Sequence, residues 1–352
     1  MLSNLENIRQ GRERKVGTAN SIARTKKKDS MQHVAADAAF MTTLFVNLYM
    51  IGTRDSWVLV DTGLPKQGWR VRAAAEERFG KGARPSAIIL THGHFDHAGN
   101  ALDLAEEWDV PIYAHELEMP YLTGKSDYPP QDPTVGGALA EMSRLFPHSG
   151  YDFGSRVQAL PHDGSVPGFP EWRVLHTPGH TSGHVSLFRE RDRVLLAADA
   201  LATVNQESVV TLITLERELR QPPATFTTDW GAARRSIEQL AELRPRVIAA
   251  GHGLPITDNA ATRLETFAAT FAPPPKGRYV RTPARTNENG VVELPPPVPD
   301  PVRKVLVGAA LVAGAGTMLF ALSRRSRPLR RPTAKRSKRA LRRVDASKFN
   351  GR

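Results

Sequence analysis

The sequence predicts an α/β fold, and three observations carry that expectation. Ser86–Leu90 reads as a short buried strand running into Thr91-His92-Gly93-His94-Phe95-Asp96-His97, after which the chain reads as a helix to Trp108, apolar at Ala101, Leu102, Leu104, Ala105 and Trp108. Strands and helices alternate in this way in both halves of the chain instead of falling into separate runs. Two further apolar strands, Val194–Ala198 and Val247–Ala250, end beside titratable residues, Asp199 and His252. Strand ends in α/β folds are where sites collect.

Taken in order, residues 1–35 are expected as a disordered basic leader. Arg12, Arg14, Lys15 and the run Lys26–Lys28 come without an apolar stretch, so no secretory signal is expected, and Met31 is an alternative start. A basic nucleic-acid arm is the sharper reading of the same residues. Thr43–Ile51 and Trp57–Val60 predict a hairpin turning around Gly52–Asp55, and residues 66–80 a helix ended by Gly80. Val110–Ala114 predicts a strand ending in His115, read as a structural histidine. Residues 120–155 break the rhythm with Tyr121, Tyr128-Pro129-Pro130, Pro133 and Gly136-Gly137, and hold a short helical patch around Ala138–Phe146. His148 and His162 lie in loop-like sequence and read as solvated. Residues 172–200 predict two strands around a turn shaped by Pro178 and Gly179. Thr228 or Asp229 caps a helix running to about Leu243, and the core is expected to stop after Phe271.

The chemistry concentrates in the stretch after Leu90. In extended chain His92 and His94 are two apart, so their rings leave on one side. Asp96 and His97 fall at the helix start and aim at a second point. Four imidazole and carboxylate groups within six residues exceed what a core or a solvated face needs, so the cluster reads as a metal site. The chain has no cysteine, which excludes a disulfide framework and a thiolate site. Metal must rest on His and carboxylate, which suits zinc and also iron or manganese.

His92-x-His94-x-Asp96-His97 resembles the signature of the metallo-β-lactamase superfamily, and the resemblance runs from about residue 40 to 272. It implies a four-layered αββα sandwich over residues 36–272 with two divalent metal ions at one rim of the two sheets. His180, in Thr177-Pro178-Gly179-His180-Thr181-Ser182-Gly183-His184, matches the third ligand of the first metal beside His92 and His94. Asp199 matches the bridging carboxylate, and His252 completes the second metal with Asp96 and His97. Asp61, in Leu59-Val60-Asp61-Thr62-Gly63, supports the metal loop from behind, and His184 is a supporting or packing residue. The family mechanism implies a metal-bridging hydroxide attacking an ester-like carbonyl of a small acyl substrate such as a thioester or lactone, with Asp96 orienting it or passing on its proton. Segments such as 120–155 commonly form the substrate wall, so Tyr121 and Tyr128 are candidate substrate contacts, in a lid or in inert surface packing. The chain looks closest to glyoxalase-II-like and lactonase-like hydrolases, without the helical glutathione-binding domain of the former. True β-lactamases often carry a cysteine in this ligand set, and flavodiiron relatives a glutamate where His94 stands. A nucleic-acid-processing phosphodiesterase, a silent metal-binding scaffold and a single-iron persulfide oxidiser are the alternatives.

Charge divides the chain sharply. Of the net +12, residues 301–352 carry +14, which leaves −2 for residues 1–300. Residues 273–302 read as a Pro-rich linker, stiff at Pro295–Pro301. Residues 303–323 read as a membrane helix, since the eighteen residues Val305–Leu322 are uncharged and span roughly 27 Å. Residues 324–352 form a basic tail suited to anionic lipid. The chain is thus expected to be membrane-associated through its C-terminus. Thirteen Lys and Arg after Leu322 should stay on the cytoplasmic side of a spanning helix, which would put the catalytic domain outside, yet residues 1–30 carry no export signal. The expectation is therefore an apolar segment that enters the cytoplasmic leaflet, a tail on anionic headgroups and a catalytic domain in the cytoplasm, with the crossing itself left open.

Overall fold

Two sheets face each other in the structure, a computed structural model that describes residues 31–300. The first holds β1 (Gln32–Ala35), β2 (Ala38–Thr43), β3 (Val46–Gly52), β4 (Trp57–Val60), β5 (Ala87–Ile89), β6 (Ile112–Ala114) and β7 (Val157–Ala159) in chain order. Its first four strands form an antiparallel meander, and β4 to β7 run parallel. The second runs β12-β11-β10-β9-β8, formed by β8 (Ser165–Val166), β9 (Phe169–His176), β10 (Val185–Arg189), β11 (Val194–Ala198) and β12 (Val247–Ala250). Its final pair, β11 and β12, is parallel.

The period of two along each strand explains the layers. In β4, Val58 and Val60 point between the sheets toward Trp172, Val185 and Leu187, whereas Trp57 and Leu59 point outward. The outward face meets Val71, Ala75 and Phe79 of helix α1 (Gly68–Phe79). In the second sheet Leu195 and Ile248 turn outward onto Ile237, Leu240 and Leu264, from the helices Trp230–Glu242 and Ala260–Thr270. Leu196 and Ala249 turn inward. The central strands β4, β5 and β11 are buried on both faces, which is why they read as unbroken apolar runs. The layers are helix, sheet, sheet, helix, as the sequence led us to expect.

Four expectations need correction. Thr43–Ile51 is not one strand: Leu44 takes φ 60° and makes a tight turn that sends Phe45 outward. The single helix to Trp108 is two, α2 (Phe95–Ala98) and α3 (Ala101–Trp108). Asn100 interrupts it because its side chain has better partners than a helix offers: Nδ2 donates to Thr62 O and Leu64 O at 2.7 Å, and Oδ1 accepts from Gly68 N at 2.9 Å. Gln32–Ala35, expected in the leader, pairs with β2. Residues 273–293, expected as linker, fold back onto the domain. Tyr279 is buried with its hydroxyl on Pro130 O at 2.8 Å, and a hairpin of β13 (Arg285–Asn287) and β14 (Gly290–Glu293) meets Ser126 through Val291 N.

Among the described residues no helix is long and apolar enough to cross a membrane. The expected membrane segment Val305–Leu322, the basic tail and most of the leader lie outside the described residues.

Candidate metal centre

The centre is built by tying down the far side of four of its five histidine rings, all but His94. Asp61 sits at φ 59° past the end of β4 and is buried. Its Oδ1 accepts from Thr91 N at 2.9 Å, and its Oδ2 accepts from Thr91 Oγ1 and from His97 Nδ1, both at 2.8 Å. The Thr91 hydroxyl, its proton given to Asp61, accepts in turn from His92 Nδ1 at 3.1 Å. One carboxylate thereby sets the tautomer of two histidines and turns both Nε2 lone pairs inward. Thr227 Oγ1 faces His180 Nδ1 at 3.5 Å, and Phe45 O accepts from His252 Nδ1 at 2.9 Å.

The inner atoms converge in two groups, His92-His94-His180 and Asp96-His97-His252, with a third set, His92-His97-Asp199, straddling them; within each set the ligand atoms lie within 4.8 Å of one another. Asp199 Oδ2 stands between them, 3.5 Å from His97 Nε2, 3.4 Å from His180 Nε2 and 3.3 Å from His252 Nε2. His92 Nε2, His97 Nε2 and Asp199 Oδ1 are buried without any hydrogen-bond partner. Unpaired polar atoms in a core cost about 1–3 kcal/mol each, so three together fit a cation and little else. Glycine leaves the space: a Cβ at Gly251 would lie 2.0 Å from Asp199 Oδ1.

Charge divides the two groups. Burial, with the neighbouring rings adding to it, holds His92 and His180 well below the usual imidazole range and His94 at about 3. Burial acts the same way on His97, but the carboxylates of Asp199, Asp61 and Asp96 overcome it and raise this ring well above that range. His252 is raised likewise, mainly by Asp199. Asp199 itself, despite burial, is held well below the carboxylate range by His252 and His97, while burial raises Asp96.

The supporting residues separate cleanly. His184 has Nδ1 on Thr177 O at 3.1 Å and accepts at Nε2 from Asp199 N at 3.0 Å, so neither nitrogen is available to a metal. It fixes the backbone that carries Asp199. His115 stacks on His176 at 4.2 Å and accepts from Leu117 N, away from the centre. Tyr128 lies against His94, ring centroids 4.7 Å apart, but its hydroxyl is committed to Glu118, and Tyr121 is stacked behind it at 4.1 Å. Both tyrosines are buried and line a small pocket together with His94 and His180.

Glu118 escaped sequence reasoning. It is wholly buried: Oε2 accepts from Gly93 N at 3.0 Å and from Tyr128, and Oε1 accepts from Thr181 Oγ1 at 2.6 Å and Gly183 N at 3.0 Å. One side chain clamps both ligand loops. Nothing in His115-Glu116-Leu117-Glu118 distinguishes it from Glu116, since none of the contacts is local: the partners lie 10, 25, 63 and 65 positions away. The mouth was missed as well: Phe45, Phe95, Leu139, Phe146, Gln206 and Phe226 line the approach to His94, Asp96 and His252.

The model of the metallo-beta-lactamase superfamily matches residues 41–252, from β2 to the last of the converging histidines. The chain belongs to this superfamily. Proteins similar to it include "Probable metallo-hydrolase YflN" of Bacillus subtilis (strain 168), 48% identical over 221 residues, 62% of this chain and 84% of that protein. "Probable metallo-hydrolase YybB" of the same organism is 29% identical over 215 residues, 61% of this chain and 83% of the relative. Among solved structures, metallo-beta-lactamase family protein TTHA1429 from Thermus thermophilus is 25% identical, with a TM-score of 0.46, over 67% of this chain and 80% of that one.

Proposed function

We propose that the chain is a hydrolase that holds two divalent ions, zinc being the best suited, and opens an ester-like carbonyl of an apolar acyl substrate, a thioester or lactone. The observation that carries the reading is the set of buried, unpartnered donor atoms converging from His92, His97 and Asp199, completed by His94, His180, Asp96 and His252. Divalent ions held there would make hydroxide available near neutral pH and polarise a carbonyl oxygen. The chain's own residues do the rest. Asp61 and Thr91 keep two histidines in the ligating tautomer, and Asp199, anionic at neutral pH, stands between the two groups. Asp96, raised by burial, faces His252 Nε2 with Oδ2 at 3.6 Å, and its carboxylate would take a proton from attacking water.

The walls support an acyl substrate. Phe45, Phe95, Leu139, Phe146 and Phe226 exclude water from the mouth and match hydrocarbon, and none of the described residues lining it is Lys or Arg. A phosphodiester-cleaving site recruits its substrate with basic groups. The test is a hydrolysis screen on zinc-loaded protein comparing thioesters, lactones, β-lactams and phosphodiesters. Turnover of the acyl compounds is expected to exceed that of phosphodiesters, and preferential phosphodiester cleavage would refute the reading.

A further inference from the structure

Six of the nine exposed large apolar residues among those described lie on or beside segments that line the metal mouth, whereas Trp69, Val292 and Val298 do not. Leu44 and Phe45 form the tip of the turn between β2 and β3, and Phe45 lines the metal mouth. Met142 and Leu145 project from helix α4 (Ala138–Ser143) and the turn after it, whose other side chains, Leu139 and Phe146, face the mouth. Val210 and Ile213 project from helix α5 (Val209–Thr214). This helix follows Gln206 of the mouth and Glu207, whose carbonyl receives the first amide of α4, Ala138 N, at 3.2 Å. Leu145 is 87% exposed and Ile213 77%, in keeping with no internal packing role. Single exposed apolar residues are ordinary, but a group of them around one opening marks a docking face.

We propose that this rim docks on an anionic lipid surface, so that the metal mouth opens onto the bilayer and takes lipophilic acyl compounds from it. The substrate half of this inference rests on the acyl-hydrolase reading; the docking does not. Charge selects the occupant. Residues 301–352 hold fifteen Lys and Arg against Asp345 alone, which complements anionic headgroups and repels a second copy of the same tail. Glu141 of α4 pairs with Arg144 just after it at 2.6 Å, so that part of the rim presents no net charge of its own. An apolar rim on a chain that also carries a basic segment is the pattern of interfacial binding, in which apolar side chains enter the headgroup boundary and cations stay above it.

The absence of cysteine makes the test direct. Full-length Leu145→Cys, Ile213→Cys and Glu190→Cys chains are each labelled with a polarity-sensitive fluorophore and mixed with phosphatidylcholine–phosphatidylglycerol vesicles. Glu190 lies in the β10–β11 turn, at the opposite end of β11 from Asp199. Labels at 145 and 213 should shift to the blue and lose most of their quenching by aqueous iodide, while the label at 190 stays unchanged. Leu145→Glu combined with Ile213→Glu should weaken vesicle partitioning by about tenfold or more. Three results would overturn the proposal: no sedimentation with the vesicles; sedimentation with labels at 145 and 213 as quenchable as at 190, which leaves the tail alone on the lipid; or the same blue shift without vesicles as protein concentration rises, which makes a second copy the occupant. A failed hydrolysis screen would leave these readouts untouched.

Discussion

At the scale of the residue, proton affinity distinguishes the two ligand groups. His92, His94 and His180 are held in the neutral, ligating form by burial, so a metal meets no proton there until the solution is strongly acidic. His97 and His252 are pulled the other way by Asp199, Asp61 and Asp96, and in the ion-free protein they keep protons at pH values above the ordinary imidazole range. A raised pKa means that protons compete with the metal, increasingly so as pH falls. Zinc should therefore leave the Asp96-His97-His252 group first on acidification, and binding at neutral pH should release protons mainly from that group. Metal content after dialysis across a pH series checks the order, with calorimetry in buffers of different ionisation enthalpy counting the protons. Loss of both ions at one pH, with no proton release, would contradict this assignment. His92, His94, Asp96 and His97 were legible in the sequence because they lie within six residues, whereas His180, Asp199 and His252 were reached only through the family resemblance. Glu118 was reached by neither route, because its contacts are made across the fold.

At the scale of the element, the sequence exposed periodicity and hid interruption. Strands β4, β5, β11 and β12 and helix Trp230–Glu242, capped by Asp229 Oδ1 on Ala232 N at 2.9 Å, follow directly from apolar runs and a capping residue. Leu44 could not be read as a turn, since leucine at positive φ is uncommon and is held there by the strands on either side. The C-terminal hairpin was missed for a related reason: Arg285–Glu293 is polar, and its value to the fold lies in what precedes and touches it. Tyr279 is buried against Pro130, and Thr286 lines a small pocket with Tyr128, His94 and His180. A chain ended at residue 272 should therefore be less stable than one ended at 300 by about 3 kcal/mol, as expected for losing a buried aromatic, and should bind substrate more weakly. Denaturant titration of the two chains decides; equal midpoints and slopes would return residues 273–293 to the status of a spacer.

At the scale of the whole molecule, two sheets packed face to face between helices bring their strand ends to one rim, and residues from Asp61 to His252 meet there. The layers could be expected from alternation, but the aromatic mouth could not, because Phe45, Phe95, Phe146 and Phe226 come from four separated segments with no shared period. The central claim is that acyl hydrolysis depends on two ions held by one buried donor set. Its most direct test is a titration of chelator-treated protein with zinc, following hydrolysis of a thioester or lactone as ions are added. Activity should be small at one equivalent and level off at two ions per chain. A plateau at one equivalent, or two bound ions with no acyl hydrolysis, would contradict the account.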